Sequence, residues 1–507
     1  MDVNVARDRI RIAQRELHDT APAKEKRERY DRGDHDLPFA PAGVNVEYEE
    51  LREQAVANWI TLAVSAPVQR LRGDSFVTHV DEELDKTLWR DVWQRNRLDS
   101  LQALPYRDMM MHGRGIMSVW PNTANRSRPI VRPESNELVY VHPSEEDPFT
   151  NDWTVKIFTV NDYSPQATAL VMPFGVSTAT TRTVAIVYDD QGMLRFEKGG
   201  KSNNSDFEVT AEGTHPMGEN PFQTYDFRPD TKGQVWSPMD PLIPQQDAIN
   251  TIRFNTLLAM QFSAFRQRIV VGFDPVQRDK DGNVLYERDD NGALILDRFG
   301  NPQAKLTSPG RIGVDRLLAF PGQETKVFDL PESNLKNYIE VLGEFLTQFF
   351  ATGQIPPQYL LSRMANLSGD ALAGAESTLA SLVQEIQMIG AEANEGIFRR
   401  GAKCAGLNSD FPDAEMNYAD AEAKSFAQVV DGIGKLVTGG FPKRDAWAML
   451  PGATKQKVDG WVEHAEDESF SNRLASAARE FVDATAAPAA PVNDQTELGR
   501  DATSDRG

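Results

Sequence analysis

One cysteine, Cys404, stands in 507 residues. An internal disulfide is therefore excluded, and so is a metal centre built from several thiolates. The seven histidines are dispersed, with no HExxH run and no paired spacing of the kind that holds zinc. No window approaches 18 consecutive apolar residues, so no membrane-spanning segment is expected. The first residues, MDVNVARDRIRIAQRELHD, are charged throughout and lack the apolar core of a signal peptide. The expectation is a protein that stays on the cytoplasmic side of the cell that makes it. Positive charge is scarce too: 54 Lys and Arg against 75 Asp and Glu leave a net charge of −21. Gripping nucleic acid over a broad basic face is disfavoured, because such binding is dominated by cations neutralising phosphates. DNA passing by without being held is compatible, since an acidic wall offers phosphate no deep electrostatic trap. The acidity equally fits a role in solubility alone.

Complete catalytic signatures are missing as well. Gly200-Lys201-Ser202 ends like a phosphate-binding loop, but Arg195 occupies the position of that loop's first glycine. NNSDFEVT follows where a helix should begin, so a hairpin loop is the better reading. Asp279, Asp281 and Asn283 resemble the opening of a calcium loop, yet Val284 replaces the required glycine and Asp290 the twelfth-position Glu. Turn chemistry explains them better. Glu145-Glu146-Asp147 reads as an acidic loop after a strand rather than a two-metal site. No GxSxG elbow is present, and Cys404, at a helix terminus, reads as packing. The chain is expected to be no enzyme and to need no cofactor or metal, which leaves a binding or structural role by elimination.

The length calls for two to four units. Residues 1–40 are highly charged, with KEKRER at 24–29, and read as a short polar helix and a loosely ordered arm; order is expected from about Val44. Glu47 to Val68 shows a helical recurrence through Leu51, Ala55, Val56, Trp59, Ile60 and Ala63. Further helices are expected over Asp81–Asn96 and from Asp99 into Met111, broken by Gly113. From Ile116 to about Phe227 the pattern turns to strands: MSVWP, IVRP, LVYVHP, WTVKIFTV, RTVAIVYDD and MLRFEK. Asp240-Pro241 offers an N-cap and a first-turn proline to a helix that is apolar on more than one face, through Ile249, Ile252, Phe254, Leu257, Leu258, Phe262 and Phe265. Such a helix must be covered on several sides.

Residues 268–331 carry turn signals at roughly ten-residue spacing, Asp281-Gly282-Asn283, Asp290-Asn291-Gly292 and Phe299-Gly300-Asn301-Pro302, and read as a hairpin module. Ser333 is expected to cap a helix with Leu335, Tyr338, Ile339, Leu342, Leu346 and Phe349 on one stripe, ending near Gly353 before Pro356-Pro357. After IPPQYLLSRMANL a long helix carries Leu372, Leu379, Leu382, Val383, Ile386 and Ile389. Phe426 to Val437 and Arg444 to Leu450 read as two shorter helices separated by Gly439-Gly440. Beyond about Ala475 the composition is that of a disordered tail. The class is mixed α+β.

Taken in order, several segments resemble the portal proteins of siphovirus-type tailed phages, the group similar to the SPP1 portal. They are ANWITLAVSAPVQRL, LWRDVWQRNRLDSLQALPYRDMMMHGRGIMSVWP, HPMGENPFQTYDFRP, PLIPQQDAINTIRFNTLLAMQFSAFRQRIVVG, LSGDALAGAESTLASLVQEI and AQVVDGIGKLVTGGFPKRDAWAMLPG, together spanning roughly residues 44–470. The resemblance implies a homo-oligomeric ring, usually of twelve subunits, at one vertex of the virion capsid, assembled in the host cytoplasm. Its implied work is DNA packaging, retention and ejection. Implied partners are double-stranded DNA passing without sequence specificity, the terminase large subunit, major capsid and scaffolding proteins, and a head–tail adaptor.

By position the resemblance implies a charged arm at 1–43, an α/β wing with a sheet at 44–240, stem helices at 241–267 and 333–354, and a β-rich clip at 268–332. It further implies a tunnel loop at 355–369, a long wing helix at 370–402, a helical crown at 403–470 and a disordered tail at 471–507. The clip stretch is long, and its outer hairpins read as an insertion. In the tunnel loop Gln358, Tyr359, Ser362, Arg363 and Asn366 are the candidates to approach DNA, with Arg363 as the phosphate contact. The alternative is that they pack only against adjacent loops. For the whole chain, the competing identity is another oligomeric head or neck protein of the virion.

Overall fold

The structure, a computed structural model, describes residues 1–39, 46–162, 180–199, 206–264, 268–271, 276–306, 326–329, 335–356, 369–419, 426–450, 453 and 457–466. Two units are present, residues 1–422 and 423–507.

In the first unit, Asp2 accepts the Asn4 amide at 2.7 Å and caps helix α1 (Val3–Arg32), which Gly33 closes in the left-handed conformation that suits glycine. This corrects the expectation of a short helix and a loose arm: α1 is 30 residues long. Its apolar stripe is thin but regular. Ala6, Ile10 and Ala13 are fully buried at i, i+4, i+7 against Trp153, Val155, Ala185, Val187, Leu194 and Phe196. Farther along, Tyr30 is buried in the main core.

The recurrence over 47–68 resolves into two helices, α2 (Val46–Ala55) and α3 (Ile60–Val68). Strand β1 (Gly73–Val77) and helix α4 (Glu82–Leu88), capped by Asp81, follow. The turn then widens at Trp89–Trp93 and tightens at Gln94–Asn96 before α5 (Leu98–Leu101) and α6 (Ala103–His112). Gly113 ends α6 at φ +86, where an added Cβ would lie 2.6 Å from the Trp236 carbonyl oxygen.

Eight strands come next: β2 (Arg114–Trp120), β3 (Ile130–Glu134), β4 (Val139–Pro143), β5 (Asn151–Asp162), β6 (Thr180–Tyr188), β7 (Gly192–Gly199), β8 (Glu208–Thr214) and β9 (Phe222–Asp226). They form an antiparallel sheet in the order β3-β2-β9 and an antiparallel meander β4-β5-β6-β7-β8. The cluster Ala6, Ile10 and Ala13 against Trp153 to Phe196 places α1 on the meander, while Ile116, Val139, Val141 and Phe222 make a smaller core joining the two sheets.

Helix α7 (Ile243–Ala264) starts three residues after Asp240. Asp240 is not its cap; it takes a bidentate contact from Arg27 of α1 at 2.7 Å on both oxygens. Ile249, Phe254 and Ala259 are buried, Ile252, Leu257 and Leu258 are half-buried, and Phe262 and Phe265 carry no described side-chain environment. Two polar residues, Gln246 and Asn250, are fully buried on the same helix. They explain the break between α2 and α3. Gln246 Oε1 accepts the Trp59 amide at 3.0 Å, its Nε2 donates to the Ala57 carbonyl at 2.6 Å, and Asn250 Oδ1 accepts the Ala57 amide at 3.1 Å. Backbone groups that a continuous helix would have paired internally are satisfied by α7 side chains instead.

Strands β10 (Arg268–Val271) and β11 (Lys326–Asp329) pair antiparallel. Between them, residues 276–306 fold as three tight turns, after Asp279, Asp289 and Asp297, linked by single β-bridges such as Val276 with Leu306 and Tyr286 with Ala304. Each Asp caps its turn in the same way, its Oδ1 accepting amides two and four residues on at 2.8–3.0 Å. Asp279, Asp281 and Asn283 are thus turn formers, as the sequence suggests.

Helix α8 (Leu335–Thr352) packs against α7 with Leu342, Phe345 and Leu346 half-buried and Phe349 and Phe350 buried. Ser333, its expected cap, lies outside the described residues. Helix α9 (Gly369–Ala405) runs through the main core with Leu379, Leu382, Val383, Ile386, Ile397 and Phe398 buried. Phe398 stacks on Phe76 with centroids 4.0 Å apart. Strand β12 (Glu415–Tyr418) pairs antiparallel with β1. In the second unit, α10 (Phe426–Thr438) ends at Gly440 (φ +93), and α11 (Lys443–Ala448) follows; residues 457–466 are also helical, and Arg444 pairs with Asp459 at 2.6 Å.

Candidate functional site at the junction of α7, α8 and α9

The five residues expected to approach DNA, Gln358, Tyr359, Ser362, Arg363 and Asn366, all fall in 357–368, outside the described residues, as do Gly200, Lys201 and Ser202. The structure describes the two helix ends that flank 357–368. At the end of α8, Gly353 N–H donates to Phe349 O and Ile355 N–H to Phe350 O, both at 2.9 Å, and Gln354 sits at φ +54. Phe350 and Ile355 are buried, and Trp59 meets Phe350 edge-on with centroids 5.5 Å apart. Pro356 then forbids a further helical turn.

Gln354 does not stand alone in the left-handed region. Arg228, just after β9, is at φ +46, and its Nη2 donates to Gln354 Oε1 at 3.2 Å. The same guanidinium grips Glu385 of α9 at 2.8 and 2.6 Å. Non-glycine residues pay roughly 1–2 kcal/mol for that backbone region. Here both belong to one clamp that joins three chain segments. Glu385 also raises the Arg228 pKa through its hydrogen bonds, so the pair is ionised wherever the carboxylate is. Beside the clamp lies a cavity of about 50 Å³ lined by Met110, Phe227, Met239, Leu242, Gly353 and Leu382. Nearer the start of α9, Glu376 pairs with Arg70 at 3.2 Å.

A second polar cluster pins α1. Lys24 Nζ donates to the Asn136 carbonyl at 2.7 Å, and Asn136 Nδ2 donates to Asp108 Oδ2 at 3.3 Å and to the Arg114 carbonyl at 2.6 Å. Burial pushes the Asp108 carboxyl up to about 7, with the Glu28 charge adding to it. Glu28 is itself raised by burial and by Glu137, which faces it. Burial lowers His112 to about 4, so its approach to Glu28 at 3.9 Å joins a neutral imidazole to the carboxyl and is no ion pair at neutral pH. Cys404 is buried, and burial raises its thiol to about 12, which keeps it protonated.

Neither cluster presents a nucleophile beside a base, and among the described residues no three His, Cys, Asp or Glu side chains converge as a metal site. Glu146 and Phe149 amides bond to Ser144 and Asp147 side chains, so Glu145–Asp147 sit in ordinary turn chemistry. No described helix is long and apolar enough to cross a membrane. What the junction can do is hold the end of α8 against the middle of α9.

Comparison with known proteins decides what kind of molecule this is. The sequence matches the family described as "Phage portal protein, SPP1 Gp6-like" over residues 16–469. The chain belongs to this portal family. The match starts inside α1, well before residue 44 where the resemblance first becomes legible, so half of the N-terminal helix is part of the family pattern. Among relatives, the portal protein of Mycobacterium phage L5 is 23% identical over 419 residues, covering 78% of this chain and 76% of its own. The portal protein of Mycobacterium phage D29 is 24% identical over 423 residues, with the same coverage. The clamp residues Arg228, Gln354 and Glu385 were not singled out by sequence reasoning. Their only signals are Pro229, which disfavours a helical residue before it, and the Gly353-Gln354-Ile355-Pro356 run.

Proposed function

We propose that the chain is one subunit of a ring of twelve, set at a single capsid vertex of a tailed phage, through which DNA is packaged, retained and ejected. The observation that carries this reading is the portal-family match across residues 16–469. The fold is consistent with it: two helices, α7 and α8, flank a β-rich stretch and pack on each other, as a two-helix stem carrying a clip would. Residues 44–240 and 370–402 serve as the wing, 355–369 as the tunnel loop and 403–470 as the crown. The ring receives DNA from the terminase large subunit, sits among capsid and scaffolding proteins and later docks a head–tail adaptor. A net charge of −21 suits a passage in which DNA slides without sticking. The work is mechanical and takes no cofactor.

Arg363 is the phosphate contact of the tunnel loop, with Gln358, Tyr359, Ser362 and Asn366 beside it. Arg363→Glu reduces DNA packaging severalfold; unchanged packaging would remove the contact. For the function as a whole, heads assembled without this chain form a coat but contain no DNA, whereas DNA-filled heads lacking it would contradict the portal role.

A further inference from the structure

Positive charge, scarce in this chain, gathers where β2 turns into β3. Residues 94–98 and 121–133 hold five arginines, Arg95, Arg97, Arg126, Arg128 and Arg132, and no Asp or Glu, within a chain of net charge −21. The two segments meet in space. Asn96, between Arg95 and Arg97, donates through Nδ2 to the Pro129 carbonyl at 3.0 Å and accepts the Val131 amide on Oδ1 at 3.1 Å. Pro129 and Val131 lie between Arg128 and Arg132, so one asparagine ties four arginine-bearing positions together. The tight turn Gln94–Asn96 ends in Arg97 at φ +61, the left-handed conformation that glycine or asparagine usually takes at a helix end. Backbone strain of this kind collects at working sites.

All five arginines are exposed. Arg95 pairs with the buried Asp91 at 2.9 Å, a carboxylate that Arg90 also contacts at 3.0 Å. Among the described residues no carboxylate pairs with Arg97, Arg126, Arg128 or Arg132. The acids nearest them in sequence are engaged elsewhere. Asp99 accepts the Trp93 indole N–H at 3.0 Å, and Glu134 takes Lys156 at 2.6 Å and the Ser118 hydroxyl at 2.7 Å. The hairpin tip is fixed as well. Asn122 Oδ1 accepts the Ala124 and Asn125 amides, and Asn125 Oδ1 accepts the Ser127 amide and hydroxyl, at 2.7–3.3 Å. A loop ordered in advance loses little freedom when a ligand arrives.

Chemistry selects the ligand. No lysine occurs in residues 87–133, so the cations here are guanidinium forks, which match phosphate or carboxylate oxygens. A protein partner needs an apolar or aromatic anchor at the centre of its contact, and no large hydrophobic residue of 89–103 or 121–133 is exposed. Unpaired bases need an open aromatic face to stack on, and Trp93 is buried. Phosphates of a duplex remain. The acidity of the rest of the chain does not forbid them, because at physiological salt a charge more than about 8 Å away is largely screened. We propose that Arg97, Arg126, Arg128 and Arg132 form a surface that binds the phosphate backbone of double-stranded DNA without reading its sequence. The inference goes beyond the proposed function, which puts DNA at the tunnel loop 355–369, and it does not require a ring.

The test is fluorescence anisotropy of a short labelled duplex of random sequence, titrated with the full-length protein at several salt concentrations. Four phosphate contacts predict that log K falls against log salt with a slope of about 3.5, a loss of roughly a hundredfold between about 50 and about 200 mM. Arg126→Gln with Arg128→Gln, or Arg97→Gln with Arg132→Gln, lowers that slope by about 2 and the affinity by about tenfold or more. The thermal midpoint stays in place, because these side chains are exposed. Arg11→Gln with Arg15→Gln removes the same charge from the exposed face of α1 and leaves binding unchanged. Equal losses from that α1 pair, a loss produced by Arg363→Glu alone, tighter binding of single strands or of polyglutamate, or no duplex binding at low salt would each overturn the inference. None of these readouts involves ring closure, so such a failure leaves the portal reading standing. Absence of rings in a preparation that still binds duplex through the hairpin counts against the portal reading alone.

Discussion

Asn394 of α9 sits where three phenols converge. Its Nδ2 donates to Tyr106 and Tyr418 hydroxyl oxygens at 3.1 and 3.0 Å, its Oδ1 accepts from Tyr225 at 2.6 Å, and the two first phenols lie 2.7 Å apart. Gly390, one turn earlier, makes room for them: an added Cβ would stand 2.5 Å from both hydroxyls. Replacing Asn394 by Leu leaves three buried hydroxyls short of partners and should cost roughly 2–4 kcal/mol, read in a denaturant titration. Gly390→Ala should destabilise as well. Asp108 gives a prediction in pH. Its folded pKa is raised from 3.8 to about 7, so the native state favours the neutral form; its contribution is fully present below pH 3.8 and lost as pH rises toward 7. Asp108→Asn should therefore gain stability relative to wild type progressively from about pH 4 to 7 and then plateau, by a few kcal/mol at most. A difference that stays flat across that range would refute the assignment. At this scale the sequence was uneven. The turns at 281–283, 290–292 and 299–302 were legible because their chemistry is local, whereas Asn394 and the Arg228–Gln354–Glu385 clamp were not, because their partners lie from 24 to 288 positions away.

Elements were read best where one face repeats strongly. α8, α9 and α10 and strands β2 to β7 fall close to their expected spans. α1 was underestimated because its buried stripe is built of small residues, Ala6 and Ala13 about Ile10, in a stretch otherwise dominated by charge. Ile10→Asp places a carboxylate against Trp153 and Val155 and should free α1, so that limited proteolysis removes residues 1–20 well before the rest of the unit is cut; equal resistance would contradict the docking. The break between α2 and α3 was invisible in the hydrophobic pattern, since its cause is two polar side chains on α7. Gln246→Leu keeps the volume but strips the Trp59 amide and Ala57 carbonyl of their partners, and should lower stability by roughly 2–4 kcal/mol in thermal or denaturant unfolding. α7 read as apolar on more than one face; one face is buried within the chain, while Leu257 and Leu258 are half-buried and Met260 is exposed.

In the function proposed above, the whole molecule works through arrangement rather than through any reactive group. Composition and motif spacing reach an acidic chain of several regions without a catalytic signature; membership of the portal family supports the proposal that its helix–β–helix order is a stem carrying a clip. The same proposal explains why so much apolar surface is uncovered in one chain, on α7, on α8 at Ile339 and across the 276–306 module. The proposed ring would cover such surface between neighbouring copies. The most direct test is electron microscopy of the purified full-length protein, with mass measured on the same sample. The account predicts closed rings of twelve copies with a central channel and a narrow stem. A monodisperse monomer, or oligomers without a channel, would contradict it.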